Sequence, residues 1–249
     1  MKDIFDGHQK FINKMISYKN LVIIGTSHVS KDSIKLIQDT ITGDFSVVGI
    51  ELDKGRLYSL LHPEIQKERI SFSMVRRVGF KGFLFALLGK YVQEKIGRSL
   101  NTKPGSDMLE AYKQAKQKGI EIKLIDEDIE KVLQKISKHM RFSEKWRFVK
   151  DLVFSSMFPK KYSKKYGLEN IDLSKVPSEE LIEKMISAMR KDYPSIYKIL
   201  VEDRNKLMAK RIYFLMQSYP RVLIVVGAGH EKEIIRLVDE FYHKNTDVF

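Results

Sequence analysis

Four short apolar runs, each adjoining a segment of helical periodicity, limit what this chain can fold into. They are Leu21–Gly25, Phe45–Leu52, Ile120–Ile125 and Val222–Gly227. All are short and rich in β-branched residues, the pattern of strands buried on both faces of a sheet. Behind the first, Ser30 to Ser33 opens a helix with Ile34, Ile37 and Ile41 on one face. Ahead of the third, Met108 to Lys118 is periodic, and Gly119 ends it as a C′ cap. Behind the fourth, Glu231 to His243 carries Ile234, Ile235, Leu237 and Val238. Alternation of this kind predicts an α/β fold, a mainly parallel central sheet with flanking helices. Long helical stretches at about 63–98 and 130–218 interrupt it, the second broken near Pro159, Pro177 and Pro194. No low-complexity linker separates them. They read as large helical insertions, a lid or subdomain within a single α/β domain of residues 1–249.

Composition excludes several chemistries. None of the 249 residues is cysteine, which removes disulfide scaffolds, thiolate zinc sites, iron–sulfur clusters and a cysteine nucleophile. The N-terminus has no apolar signal core. The most apolar patch, Phe80 to Leu88, is far short of the roughly 20 residues that cross a bilayer. A cytoplasmic chain is expected, peripheral to a membrane at most. The net charge of +13 is unevenly spread. Residues 67–98 carry eight basic and two acidic side chains, and residues 130–166 carry eleven and three. A nearly neutral framework thus bears two basic blocks interleaved with Phe72, Phe80, Phe83, Phe85, Trp146, Phe148, Phe154 and Phe158. Such blocks are either solvated helical faces or surfaces for an anionic membrane. Nucleic acid is disfavoured, because no recognition signature accompanies the charge.

The sharpest chemical signal is a repeated Gly-x-x-His at the end of an apolar run. Val22 to His28 echoes Ile224 to His230. Ligands of open α/β sheets bind beyond the carboxyl ends of the strands. His28 and His230 are therefore expected at one site, with Gly25 and Gly227 turning the backbone off the strands. Neutral imidazole serves both as metal ligand and as general base. Glu51 follows Val47, Val48 and Ile50, a costly place for a carboxylate unless it is paired or binds a cation. Asp53 and Arg56 read either as an N-cap with its partner or as site residues. Asp126 either opens a helix with Glu127 and Asp128 or joins the same strand edge. Glu202, Asp203 and Arg204 form a charged knot on a helix, where Arg204 could grip a carboxylate or an anionic substrate group. No P-loop, nucleophile elbow or dinucleotide fingerprint is present.

The ordered motifs together resemble the TraB/PrgY family of pheromone-shutdown proteins. The likeness rests on Gly25 to Ser30, Val48 to Asp53 with Arg56, Pro104 to Met108, Leu124 to Ile129, Asp203 to Asn205 before Met208 and Ala209, and Val226 to His230. It spans about residues 21–240. The family is similar to the Tiki metalloproteases and, more distantly, to erythromycin esterases and ChaN proteins. The resemblance implies an α/β fold whose active centre unites His28, His230, Glu51 and either Arg56 or Arg204. Glu127 stands where the family usually has arginine. Asp203-Arg204-Asn205 stands where it usually has Glu-Arg-Asp. Many members continue into C-terminal membrane helices.

These readings lead to an expected function, a metal-dependent hydrolase of small peptides. His28, His230 and Glu51 would hold one divalent ion or its activated water. Arg204 or Arg56 would meet developing negative charge, with Asp53, Asp126 and Asp203 contacting substrate. Manganese, cobalt and zinc all suit imidazole plus carboxylate. A metal-independent histidine hydrolase is a close variant. The rival class is a non-catalytic protein that sequesters a peptide or small ligand and docks on anionic membrane or a partner through its basic helices. An oligomer is compatible with either.

Overall fold

The computed structural model describes residues 15–26, 31–63, 105–157 and 179–246. The chain divides into two compact units. Among the described residues, 15–26, 31–63, 105–129 and 204–246 belong to the first, and 130–157 and 179–203 to the second.

The first unit is built on five strands: β1 (Met15–Tyr18), β2 (Leu21–Thr26), β3 (Val47–Ile50), β4 (Glu121–Leu124) and β5 (Val222–Gly227). Their order in the sheet is β1-β2-β5-β3-β4. β2, β5, β3 and β4 run parallel, and β1 pairs antiparallel with β2 at the edge. The α/β architecture expected from the sequence is thus present, with all four expected strands in it. The last strand in the chain lies between β2 and β3, so the ends of the three converge along one edge. Leu21 pairs with Val222 and Thr26 with Gly227, and Val47 pairs with Val222 and Ile50 with Val225.

Five helices complete this unit: α1 (Lys31–Thr40), α2 (Lys54–Leu61), α3 (Ser106–Gln117), α8 (Asp203–Ser218, starting at the last residue of the second unit) and α9 (Ala228–Thr246). The period of two along β5 explains the layering. Val222, Ile224 and Val226 pack with Met208, Ala209 and Ile212 of α8 and Ile234 and Val238 of α9. Leu223 and Val225 pack with Leu36 and Ile37 of α1 and Met108, Ala111 and Ala115 of α3. All six β5 residues are buried, as a strand covered on both faces requires.

Local chemistry sets the helix ends. Asp53 caps α2 by accepting from the Arg56 amide at 3.0 Å. α3 ends in a Schellman turn in which Gly119, with φ +68°, adopts the left-handed conformation. There the Gly119 amide reaches the Lys116 carbonyl and the Ile120 amide the Ala115 carbonyl. Gly25 departs from expectation. Among the described residues, only Gly105 and Gly119 are glycines with positive φ. Gly227 is the last residue of β5 and α9 starts at Ala228, so the chain leaves that strand there without a left-handed residue. Gly25 instead lies within β2 under the Glu231 carboxylate of α9. A Cβ at position 25 would overlap Glu231 Oε2 unless that carboxylate shifted.

In the second unit, the described residues form α4 (Ile129–His139, starting at the last residue of the first unit), α5 (Phe142–Met157), α6 (Glu179–Asp192) and the short α7 (Pro194–Tyr197). A π segment, Lys198–Glu202, leads into α8. Pro194 occupies the first turn of α7, where its missing N–H costs nothing. Val132, Ile136 and Ile199 form the buried core. Most of the stretch expected to be helical at 63–98, and the breaks at Pro159 and Pro177, lie outside the described residues. Among the described residues, no helix is long and apolar enough to cross a membrane.

Candidate active site

The strand edge gathers four carboxylates and three arginines, two of which grip carboxylates. Glu51 is the first residue past β3, and its amide continues the ladder to the Val225 carbonyl at 3.0 Å. Its side chain is 4% exposed. Oε2 accepts from the Gly227 amide at 2.7 Å, and Oε1 accepts from Arg204 Nη2 at 2.7 Å. A buried carboxylate holding an amide and a guanidinium is compensated.

Asp126, just beyond β4, has a side chain with no exposure. Arg204 grips it with two nitrogens, Nε on Oδ1 at 2.9 Å and Nη2 on Oδ2 at 2.5 Å. Arg56 Nη2 donates to the same Oδ2, and Arg56 Nε to Asp53 Oδ2 at 2.5 Å. Arg211 Nη1 donates to the Asp126 main-chain carbonyl at 2.6 Å. Burial by itself would raise the Asp126 carboxyl, but the hydrogen bonds and charges of Arg204 and Arg56 outweigh it and hold the group at about 2. Burial likewise acts to lower the two guanidinium groups, and the carboxylates around them prevail and push both upward. Glu51, Arg204, Asp126, Arg56 and Asp53 are one continuous network, Asp53 serving both as cap and as member.

His230 lies in the first turn of α9. Its Nε2 is 3.4 Å from Glu51 Oε1, and its Nδ1 is 2.5 Å from Asn205 Oδ1. Asn205 is 1% exposed. An amide oxygen is only an acceptor, so Nδ1 carries the proton in this contact and Nε2 is the nitrogen turned toward Glu51, where a neutral ring would present its lone pair. Adjacent residues of α8 therefore hold both halves of the pair, Arg204 the carboxylate and Asn205 the imidazole. Replacing Asn205 with Leu should remove this preference, giving a mixed Nδ1–H and Nε2–H population in the 15N shifts of the His230 ring. An unchanged tautomer would assign the contact to packing alone.

The fourth buried acid is Asp107 at the start of α3, 1% exposed. It accepts from the Thr26 hydroxyl at the end of β2, and from the Met108 amide at 2.8 Å. Among the site residues expected from sequence, His28 lies outside the described residues. Asp203 belongs to the second unit and accepts from Lys198 Nζ at 2.6 Å. The other six are in the network or touch it. Asn205 and Asp107 are additions that the sequence reading does not contain. Each carries a signal, as a polar residue on a buried helical stripe: Asn205 with Met208, Ala209 and Ile212, Asp107 with Met108, Ala111 and Ala115.

A divalent ion can be tested against these donors. Two ligands about 2.1 Å from one tetrahedral ion lie about 3.4 Å apart, the separation of His230 Nε2 and Glu51 Oε1. The Asn205 contact also supplies the outer partner that orients an imidazole ligand. These two residues fit as part of a ligand set. Among the described residues, no group of three His, Cys, Asp or Glu is arranged to hold an ion.

An α/β fold with a charged, histidine-bearing cluster at the carboxyl edge of its parallel strands defines the class of protein. The chain belongs to the TraB/PrgY/gumN family, whose pattern matches residues 15–246. It is 32% identical over 230 residues to a Methanocaldococcus jannaschii protein named Uncharacterized protein MJ1365, covering 91% of this chain and 55% of that one. It is 26% identical over 210 residues to a human TraB domain-containing protein, covering 80% of this chain and 53% of the relative. The chain spans about half the length of these curated relatives.

Proposed function

We propose that the chain is a metal-dependent hydrolase acting on small peptides, with His230, Glu51 and His28 around one water and one divalent ion. The observation that carries this reading is that His230 Nε2 stands 3.4 Å from a buried carboxylate oxygen of Glu51, two atoms that are both electron-rich when the ring is neutral. Two electron-rich atoms facing each other favour a cation or a proton between them. A bound manganese, cobalt or zinc ion would supply Lewis acidity, lowering the pKa of its water toward about 7. His230 and Glu51 would hold it, with His28 as the third ligand by its matching motif. Arg204, committed to Glu51 and Asp126, orients the glutamate. Arg56, with a side chain 32% exposed, is the better placed of the two to meet a developing oxyanion or a substrate carboxylate. The peptide class follows from the likeness to pheromone-shutdown proteins and Tiki metalloproteases.

A second reading also has an observation behind it. Both Glu51 oxygens already accept hydrogen bonds, from Gly227 and Arg204. That arrangement suits a carboxylate that polarises water beside a histidine base without a metal. The test is one experiment with several arms. The purified chain is incubated with a peptide library and cleavage is read by mass spectrometry, with and without chelator, beside elemental analysis. Cleavage lost on chelation, restored by one metal and reduced by about 10²-fold or more in Glu51→Gln is the expected result. Cleavage indifferent to chelator but lost in His230→Ala favours the second reading. Peptides captured intact would instead identify a sequestering protein.

A further inference from the structure

We propose that the corner between α4 and α5 is a docking surface for an anionic lipid bilayer. The corner runs Lys138-His139-Met140-Arg141-Phe142, and Trp146 stands one turn farther along α5. Phe142 is 79% and Trp146 68% exposed, the two most exposed of the large apolar side chains among the described residues. They are separated by four positions and share one face of the helix. The acids of α5 point away from it. Glu144 is 3% exposed, accepting from the Arg141 amide at 2.9 Å and the Ser195 amide at 2.7 Å. Asp151 is 8% exposed and accepts from the Tyr193 hydroxyl at 2.7 Å. One face of α5 thus internalises its negative charge, while the opposite face presents two aromatic rings.

At the same corner Lys138, His139 and Arg141 are exposed, and Met140 among them is buried. The surrounding sequence, residues 130–166, carries a net +8. An aqueous surface gains nothing from two exposed rings, whereas a headgroup layer accepts both parts. Aromatic rings settle at the boundary between headgroups and acyl chains, and lysine and arginine meet the lipid phosphates. The charge selects an anionic leaflet over a zwitterionic one. Nucleic acid would accept the charge, but it has no comparable layer for rings that project outward without a groove.

The test uses Trp146, the single tryptophan of the chain, in the purified full chain. Vesicles of phosphatidylserine and phosphatidylcholine are titrated in, with phosphatidylcholine vesicles as the comparison. Expected is a shift of Trp146 emission to shorter wavelength with anionic vesicles alone, quenching by brominated acyl chains, and weakening at high salt. Neutralising Lys138 and Arg141 to Gln should weaken vesicle binding about fivefold each. Phe142→Ser, which keeps the reporter, should weaken it by about tenfold or more. All three positions are exposed, and circular dichroism checks that the variants fold. Equal binding to both vesicle types, binding that leaves Trp146 in water, or no binding would overturn the proposal. So would Trp146 buried by self-association without lipid, or a single-stranded RNA that moves Trp146 where lipid does not.

Discussion

Replacing Arg204 with Met is expected to cost about 3–5 kcal/mol of stability, the range for removing one partner from a buried ionic network. The guanidinium bridges Asp126, whose side chain is fully buried, and Glu51, at 4% exposure. Without it, Glu51 keeps the Gly227 amide but loses its guanidinium contact, and Asp126 keeps Arg56 and the Glu127 amide. Methionine fills a similar volume, so the loss reports charge left uncompensated rather than a cavity. At about 2–4 °C per kcal/mol for a chain of this size, the melting temperature should fall by about 10 °C. Lysine at 204 should recover part of this, because it restores the charge but not the fork that spans two carboxylates. Adding Glu51→Gln to Arg204→Met should recover stability as well, since it removes one of the stranded charges. A double variant as unstable as the sum of the singles would mean that the two residues do not act as a pair, and Arg204 could then no longer be said to orient Glu51.

What can be read from residues alone, and what cannot, divides along the distance over which the relevant interaction acts. β2, β3, β4 and β5 are legible because each is a short β-branched run with a helical pattern beside it. β1 is not. Its four residues, Met-Ile-Ser-Tyr, are partly exposed at the sheet edge and gain their register from β2 rather than from any pattern of their own. The Gly119 cap is legible because a helix end needs a left-handed residue locally. Gly25 reads as a turn in the sequence but lies within β2, and the side chain packed over it, Glu231, comes from a helix some two hundred positions away. The site shows the same division. Glu51 stands out as an acid at the end of an apolar strand. Asp126 is ambiguous, since acids at a helix start are favourable without any site. The sequence offers no choice between Arg56 and Arg204, and the structure gives both a part: Arg204 contacts Glu51 across 153 positions, while Arg56 reaches Asp126 from the next helix. Asn205 looks like a departure from a family motif, and its contact with His230 depends on packing between α8 and α9.

Asp126→Asn should produce a loss of stability that depends on pH, and the direction follows from the depressed carboxyl. In the folded chain Asp126 titrates at about 2, against about 3.9 for an unperturbed aspartate. A group whose folded pKa lies below its unfolded value binds fewer protons when folded. Its stabilisation is therefore complete above the unfolded pKa and is lost as pH falls from about 4 through about 2. The difference of nearly two units corresponds to about 2.6 kcal/mol in full, of which about 2 kcal/mol is lost by pH 2. Asparagine cannot ionise, so at neutral pH it leaves Arg56 and Arg204 facing one another with no shared anion. The cost there is expected at about 3–5 kcal/mol. As the wild-type carboxylate is protonated, the two proteins become more alike at this position. The gap between them should be widest above about pH 5 and narrower by about 2 kcal/mol near pH 2, read from denaturant unfolding across that range. Other carboxylates titrate in the same window, but they do so in both proteins and largely cancel in the difference. A gap that stays constant across the whole acid range would mean that Asp126 carries no depressed pKa. The two arginines would then have to be held by something other than its charge, and the network at the strand edge would lose its centre.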